Sequence, residues 1–524
     1  MNQSICTYSE PIIPGFYPDP NICRVESDYY LITSSFQYFP GVPIFRSRDL
    51  VNWTQIGHCL TRRSQLELEG CLSSMGIFAP TLRYHNGRFY MITTNTRSFR
   101  NFYVWAEQPE GPWSDPVWLD WPGIDPSLFF DEDGHVYITG PGGFLGDEQA
   151  GIYQAEIDMK NGELLTERRL IWTGTGGKAP EGPHLYRIGS QYYLIIAEGG
   201  TEYGHMVTAA RSERPYGPFE SCPHNPILSH RSLGHPVQAT GHADLVQAQD
   251  GSWWAVFLGI RPAPVPFAGL HHHLGRETFL SPVFWTEDGW PIIGDASEAV
   301  GRTGTGNLPA DKTPFEETTY HFNQSALPLE WNSLRNLPEE CWKLDQERGG
   351  LILYGNEATL DDAGSPAFFG RRQQHFHCEA SALLEFCPER EAEEAGLTVY
   401  MNERFHYEIA LTQKAGRRRI IFRRRIGTLW KVEHEADYEA NSIILTVKAD
   451  PKWYEFSYSM PEGPAVPFGR GECSLLSSET AGGFTGVYLG LYASGGGSAS
   501  SAAAAFRWFR YAPGHLGDSE SGTD

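Results

Sequence analysis

The sequence predicts an all-β protein, a five-bladed β-propeller followed by a β-sandwich, on three observations. Five copies of a strand–turn–strand pattern recur along the first half, 56 Gly and 36 Pro accompany 13% aromatic residues, and a Gly/Thr/Pro-rich stretch near residue 300 separates the array from a second set of alternating segments. Glycine and proline supply tight turns and aromatic side chains favour strands, so this composition suits many short strands better than long helices. At 524 residues the chain exceeds one hydrophobic core and has room for two or three domains.

The first copy opens on Asp19-Pro20-Asn21-Ile22-Cys23-Arg24-Val25, turns at 26–28 and returns as Tyr29-Tyr30-Leu31-Ile32-Thr33. The second opens on Ala79-Pro80-Thr81 and turns at Asn86-Gly87; the third opens on Asp125-Pro126-Ser127 and turns at Asp133-Gly134. The fourth opens on Glu181-Gly182-Pro183 and turns at Gly189-Ser190, and the fifth opens on His242-Ala243-Asp244 and turns at Asp250-Gly251. Asx-Gly pairs between apolar runs are hairpin turns. The opening positions lie 60, 46, 56 and 61 residues apart, room for about four strands each, which is the period of a propeller blade. The propeller is therefore assigned to residues 1–300.

Four of the five openings are polar: Asp19, Asp125, Glu181 and His242. A lone Asp before Pro is ordinarily a turn residue. Recurrence at matched positions of the innermost strands, which surround the propeller axis, instead brings three carboxylates and an imidazole to one pocket. Two carboxylates facing across a pocket can hydrolyse a glycosidic bond, one protonating the leaving oxygen while the other activates water or attacks. The rival reading is a divalent cation, but no pair has helical i, i+4 spacing and hard cations draw on several backbone oxygens. No metal ligand is assigned and no cofactor is expected; His242 leaves room for a divalent cation near the axis. His271-His272-His273 cannot all face one ion from a strand and reads as a loop. Phe36, Phe78 and Thr201 lie near the ends of the repeats as candidate sugar contacts, and Arg276 offers bidentate donors just after the fifth unit.

A net charge of −23 and a pI near 5.2 repel nucleic acid and anionic membranes and favour a neutral ligand. The runs Arg417-Arg418-Arg419 and Arg423-Arg424-Arg425 flank Ile420-Ile421-Phe422 and read as one strand with charged ends. No apolar window reaches membrane-spanning length, and Met1-Asn2-Gln3-Ser4-Ile5-Cys6 lacks the basic-then-apolar pattern of a secretory leader. Nine scattered cysteines without a CxxC pair fit free thiols, so a cytoplasmic location is expected.

Beyond the repeats, Gly15-Phe16-Tyr17-Pro18-Asp19-Pro20, Phe39-Pro40-Gly41-Val42-Pro43-Ile44, Ile77-Phe78-Ala79-Pro80-Thr81, Glu181-Gly182-Pro183-His184, Ala197-Glu198-Gly199-Gly200-Thr201 and Leu274-Gly275-Arg276-Glu277-Thr278 resemble glycoside hydrolase family 43, in its β-xylosidase and α-L-arabinofuranosidase branch. Trp331-Asn332-Ser333-Leu334-Arg335 carries the resemblance into the second domain. It implies an exo-acting, inverting hydrolase with Asp19 as general base, Glu181 as general acid and Asp125 as the carboxylate that tunes and orients the acid. Phe36, Phe78, Ala79, Thr201 and His242 would shape the terminal-sugar pocket, while Arg276 would keep a neighbouring carboxylate ionised. Phe78 stands where similar β-xylosidases often carry Trp, a smaller stacking face. The implied substrates are xylooligosaccharides, releasing β-D-xylose, or arabinose-substituted oligosaccharides, releasing α-L-arabinofuranose; the latter as main activity is the alternative. A non-catalytic sugar-binding propeller would require Asp19 or Glu181 to be missing, and both are present. A homo-oligomer is left open.

The Gly/Thr/Pro-rich stretch sets a linker at 301–318, and period-two segments at 405–411 and 443–447 place a β-sandwich at 319–514. The Gly495 to Ala505 run and the acidic tail 515–524 read as loose. By the same resemblance, Gly486-Val487-Tyr488 is the sandwich loop that closes the sugar pocket, with Tyr488 as its aromatic residue.

Overall fold

In a computed structural model, the described residues are 6–143, 149–265, 269–294, 303–306, 308 and 313–514. Five antiparallel sheets surround one axis. The first blade is ordered Asn21–Val25, Asp28–Ile32, Gly41–Ser47 and Thr54–Leu60 from the axis outward; the innermost strands of the others are Thr81–His85, Ser127–Phe130, Glu181–Ile188 and Gln238–Gln247. Each innermost strand packs on the next and the fifth packs on the first, closing the ring.

The period-two pattern explains how the blades hold together. Successive side chains of a strand point to opposite faces, and here each face meets a different neighbour. Tyr29 and Leu31 enter the core shared with the fifth blade, whereas Tyr30 and Ile32 enter the core shared with the second. Likewise Met91 faces the first blade and Ile92 the third, while Leu194 and Ile196 face the third and Tyr193 and Ile195 the fifth. Five inter-blade cores result, so both faces of the central strands are apolar. The fifth core is closed by the N-terminal segment: Ile13 exchanges backbone hydrogen bonds with Thr278 (3.2 and 3.3 Å), and the Gly15 amide donates to Glu277 at 2.7 Å.

Within the expected linker, Thr303–Gly306 forms a short strand paired antiparallel with Cys6–Ser9. The tail 515–524 lies outside the described residues. The second domain is a sandwich of two eight-stranded sheets around a single large core. Phe405–Lys414 and Ser442–Ala449 are strands, as is Arg417–Ile426, whose apolar centre is buried. Ala503–Pro513 is also a strand, paired with Cys378–Glu385, so the expected loose run already ends at residue 502: its terminal alanines continue into the aromatic, core-filling Phe506 and Phe509. His271 ends a two-stranded hairpin, Ala263–Val265 with Gly269–His271, and only the residues after it are loop. Among the described residues no helix is long and apolar enough to cross a membrane.

The two domains share a sheet. Tyr38–Phe39, from the propeller, pairs with Asn332–Leu334 at the edge of one sandwich sheet. Arg372 reaches across to donate to the Phe16 carbonyl at 2.6 Å, held within the sandwich by Asn332 at 2.9 Å, and Arg335 donates across to the Cys71 carbonyl. Both guanidinium groups are fully buried, a placement that requires such paired acceptors.

Candidate active site

The inner-strand openings are sharp bends. Asp19, Asp125 and His242 have φ of 55°, 49° and 52°, and Gly182, next to Glu181, has 54°. Left-handed backbone is unfavourable for non-glycine residues and is retained where surrounding structure enforces it. Here the bends bring Asp19, Asp125, Glu181 and His242 to one cavity of about 100 Å³ at a mouth of the propeller. Gly182 lies against the His242 imidazole, where an added Cβ would come within 2.7 Å of Cε1. Gly182→Ala is therefore expected to destabilise the protein by about 1–3 kcal/mol, through backbone strain and this collision, measurable by denaturant unfolding.

Asp19 is 5% exposed and held on both oxygens. Arg276 donates to Oδ1 at 2.8 Å, and Ser34 Oγ donates to Oδ2 at 2.6 Å. Arg276 also donates to Thr201 Oγ1 at 2.9 Å. Burial alone would raise the Asp19 pKa, but Arg276, His242 and Ser34 together hold it below the usual carboxylate value. Glu181 differs: burial and the negative charge of Asp19 push it up to about 7, against the opposing charges of Arg276 and Lys178. Asp125 is held well above the ordinary range by burial and by its neighbours Glu181 and Asp19, although the Gly182 amide donates to it. The neighbouring carboxylate that raises Glu181 is Asp19, while Glu181 and Asp19 together raise Asp125. Asp125 touches the acid's strand through Gly182.

All the sequence candidates except Tyr488 line the cavity: Phe36, Phe78, Ala79, Thr201, His242 and Arg276 join the three carboxylates. Tyr488 does not. It is fully buried, stacked on Tyr38 at 3.8 Å between ring centroids, and seals the seam between the domains. The sandwich aromatic at the cavity is Phe484, which faces Phe36 and Phe78 at 6.4 and 6.3 Å; the Arg276 guanidinium lies 5.6 Å from the Phe36 ring and 5.8 Å from Phe484. Sequence reasoning also missed Ile124 and His205. The signal for Phe484 was its setting, Gly482-Gly483-Phe484-Thr485-Gly486, a turn that projects one large side chain. Gly486 abuts the backbone of Leu274 and Gly275, where a Cβ would collide, so the turn carrying Phe484 docks beside the turn carrying Arg276.

Imidazoles that could serve a cation stand in the same place. His184 and His205 line the axis beside His242, and the Nε2 atoms of both are buried without a partner. Nevertheless, among the described residues no three His, Cys, Asp or Glu side chains stand close enough to hold an ion, and no reaction step is assigned to one.

Comparison with known proteins agrees with this geometry. The model of Glycosyl hydrolases family 43 matches residues 8–291, and that of the β-xylosidase C-terminal concanavalin A-like domain matches 319–512. A non-reducing-end α-L-arabinofuranosidase of Bacteroides ovatus is 43% identical, over 96% of this chain and 94% of its own. A xylosidase/arabinosidase of Butyrivibrio fibrisolvens is 38% identical, over 94% and 96%. The crystal structure of a xylan β-1,4-xylosidase from Bacillus halodurans superposes with a TM-score of 0.91 at 33% identity, covering 96% of this chain and all of that one.

Proposed function

Because the chain belongs to glycoside hydrolase family 43, we propose that it removes single pentoses from the non-reducing ends of xylooligosaccharides and arabinose-substituted oligosaccharides, with inversion, accepting both β-D-xylose and α-L-arabinofuranose. The observation that carries this reading is two carboxyl groups in one cavity held in contrasting surroundings: Asp19 paired with Arg276 at 2.8 Å and kept below its ordinary pKa, and Glu181 pushed up to about 7 by burial and by Asp19. Asp19 takes a proton from water as the water oxygen bonds to the anomeric carbon. Glu181 gives its proton to the glycosidic oxygen as the bond to the leaving sugar breaks. Arg276 and Ser34 keep Asp19 charged and aimed, and Asp125 steadies the acid's strand.

The pairing of xylose with arabinofuranose is supported by relatives that carry one or both activities in their names. Exo-action is supported by the small cavity, with Phe484 on its rim. The eight cysteines whose side chains are described are all free thiols, which supports a reducing, cytoplasmic setting. Proton NMR of xylobiose hydrolysis should show α-xylose appearing first; β-xylose first would overturn inversion. Parallel assays of 4-nitrophenyl β-D-xyloside and α-L-arabinofuranoside should both show turnover, and internal release from long xylan would overturn exo-action.

The pH profile of kcat/KM follows from the same groups. The acid must hold its proton, so activity is expected to fall about tenfold per pH unit above about 7, as Glu181 ionises. The base must be free of one, and since Asp19 lies below its ordinary 3.8, the acid limb should not appear until below about pH 4. A profile rising through pH 8 would contradict the assignment.

A further inference from the structure

Three chain segments supply the wall of the cavity around Arg276: the loop carrying Thr201, the turn carrying Arg276 and the sandwich turn carrying Phe484. They come from the fourth blade, the fifth blade and the second domain, and one side chain joins them. Glu479, on the sandwich, accepts from Tyr203 Oη at 2.9 Å, from the His272 amide at 2.9 Å and pairs with His272 Nδ1 at 2.7 Å. Tyr203 is two residues from Thr201, His272 four from Arg276, and Glu479 five from Phe484.

We infer that Glu479 is a positioning residue for the hydrolytic site, clamping these segments so that Thr201, Arg276 and Phe484 keep their places around the terminal sugar. The inference rests on the hydrolase reading above. A carboxylate suits this role because it has acceptor sites for all three donors, and hydrogen bonds to a charged group are stronger than neutral ones. It is only partly exposed, 26% at its side chain against 13% for His272. The clamp is reinforced by backbone bonds from Ser478 N to His272 O (3.3 Å) and from Val487 N to His273 O (2.9 Å), while the Phe484 amide is fixed by Ser74 Oγ at 2.9 Å. With those bonds in place, loss of Glu479 loosens the wall without unfolding the domain contact. Arg276 keeps Asp19 but loses the rigid Thr201 beside it, and Phe484 is tethered from one side only.

The expected signature is a binding defect. Glu479→Ala should raise KM about tenfold with kcat changed less than about threefold, because the lost contacts serve ground and transition state alike. Tyr203→Phe, which removes one bond and leaves the His272 pair, should raise KM about threefold. In Phe484→Ala, adding Glu479→Ala should cost no more than about a further threefold, since residues acting as a unit are non-additive. Wild-type values in Glu479→Ala, a loss confined to kcat, or independent multiplication with Phe484→Ala would overturn the clamp. Thermal unfolding of each variant separates loosening from collapse: if Glu479→Ala fails to fold, the Tyr203→Phe measurement decides. Titration of D-xylose by calorimetry separates the two readings. A wild-type protein that binds xylose without turning over any pentoside fails as a hydrolase, and weaker binding by Glu479→Ala would still uphold the clamp; equal binding, or no binding by wild type, would sink it.

Discussion

Asp19→Asn is expected to lower kcat by about a thousandfold or more on every pentoside, whatever its leaving group, because the lost function is activation of water. Asparagine keeps the volume, and its one carbonyl oxygen can accept from Arg276 while its amide NH2 donates to Ser34 Oγ, so the pocket should hold its shape and KM should change little. Two secondary effects follow from the geometry. Arg276, 6% exposed and paired with Asp19 at 2.8 Å, becomes a buried cation without its counter-charge, and removing one member of such a pair costs about 3–5 kcal/mol of stability. The Glu181 carboxyl loses the neighbouring charge that raises it, so any residual activity should have its alkaline limb at lower pH. Steady-state kinetics on xylobiose and 4-nitrophenyl xyloside should give matching losses. A residual rate above a tenth of wild type would remove Asp19 from the base role.

Glu181→Gln should behave differently. Proton donation matters in proportion to how poorly the leaving oxygen carries negative charge, so xylobiose turnover should fall about a thousandfold while a dinitrophenyl pentoside should lose no more than about tenfold. The variant should also lose the fall in rate above pH 7, since the group that titrates there is gone. Equal losses on both substrates would mean that Glu181 only binds or positions, and near-normal turnover of xylobiose would mean that the acid lies elsewhere.

Much of this site could be read in the sequence because its principal residues open successive repeats. The heads at 19, 125, 181 and 242 are equivalent in the fold, and equivalence around an axis means convergence. Arg276 was legible from its motif, although only the structure shows that its partner is Asp19. Tyr488 was expected at the pocket because the resemblance placed the closing loop at Gly486-Val487-Tyr488, but Tyr488 is already the first residue of the buried strand Tyr488–Ser494, its ring covered by Tyr38 of the propeller. Phe484 sits four residues earlier in a glycine turn that has no periodicity to read. The pairing of Tyr38–Phe39 with the sandwich was equally silent, since two residues carry no strand signal, and the strand at Thr303–Gly306 was hidden in composition that favours linkers.

The five inter-blade cores also govern when the protein can exist. The core between the last and first blades joins Ile22, Leu31 and Phe45 to Val246, Trp254 and Leu280, so the first blade lacks one of its two neighbours until most of the propeller has been synthesised. At about 5–20 residues per second this wait lasts roughly 10–50 seconds on the ribosome. During that interval the apolar face of the first blade lacks the partner that buries it in the finished propeller.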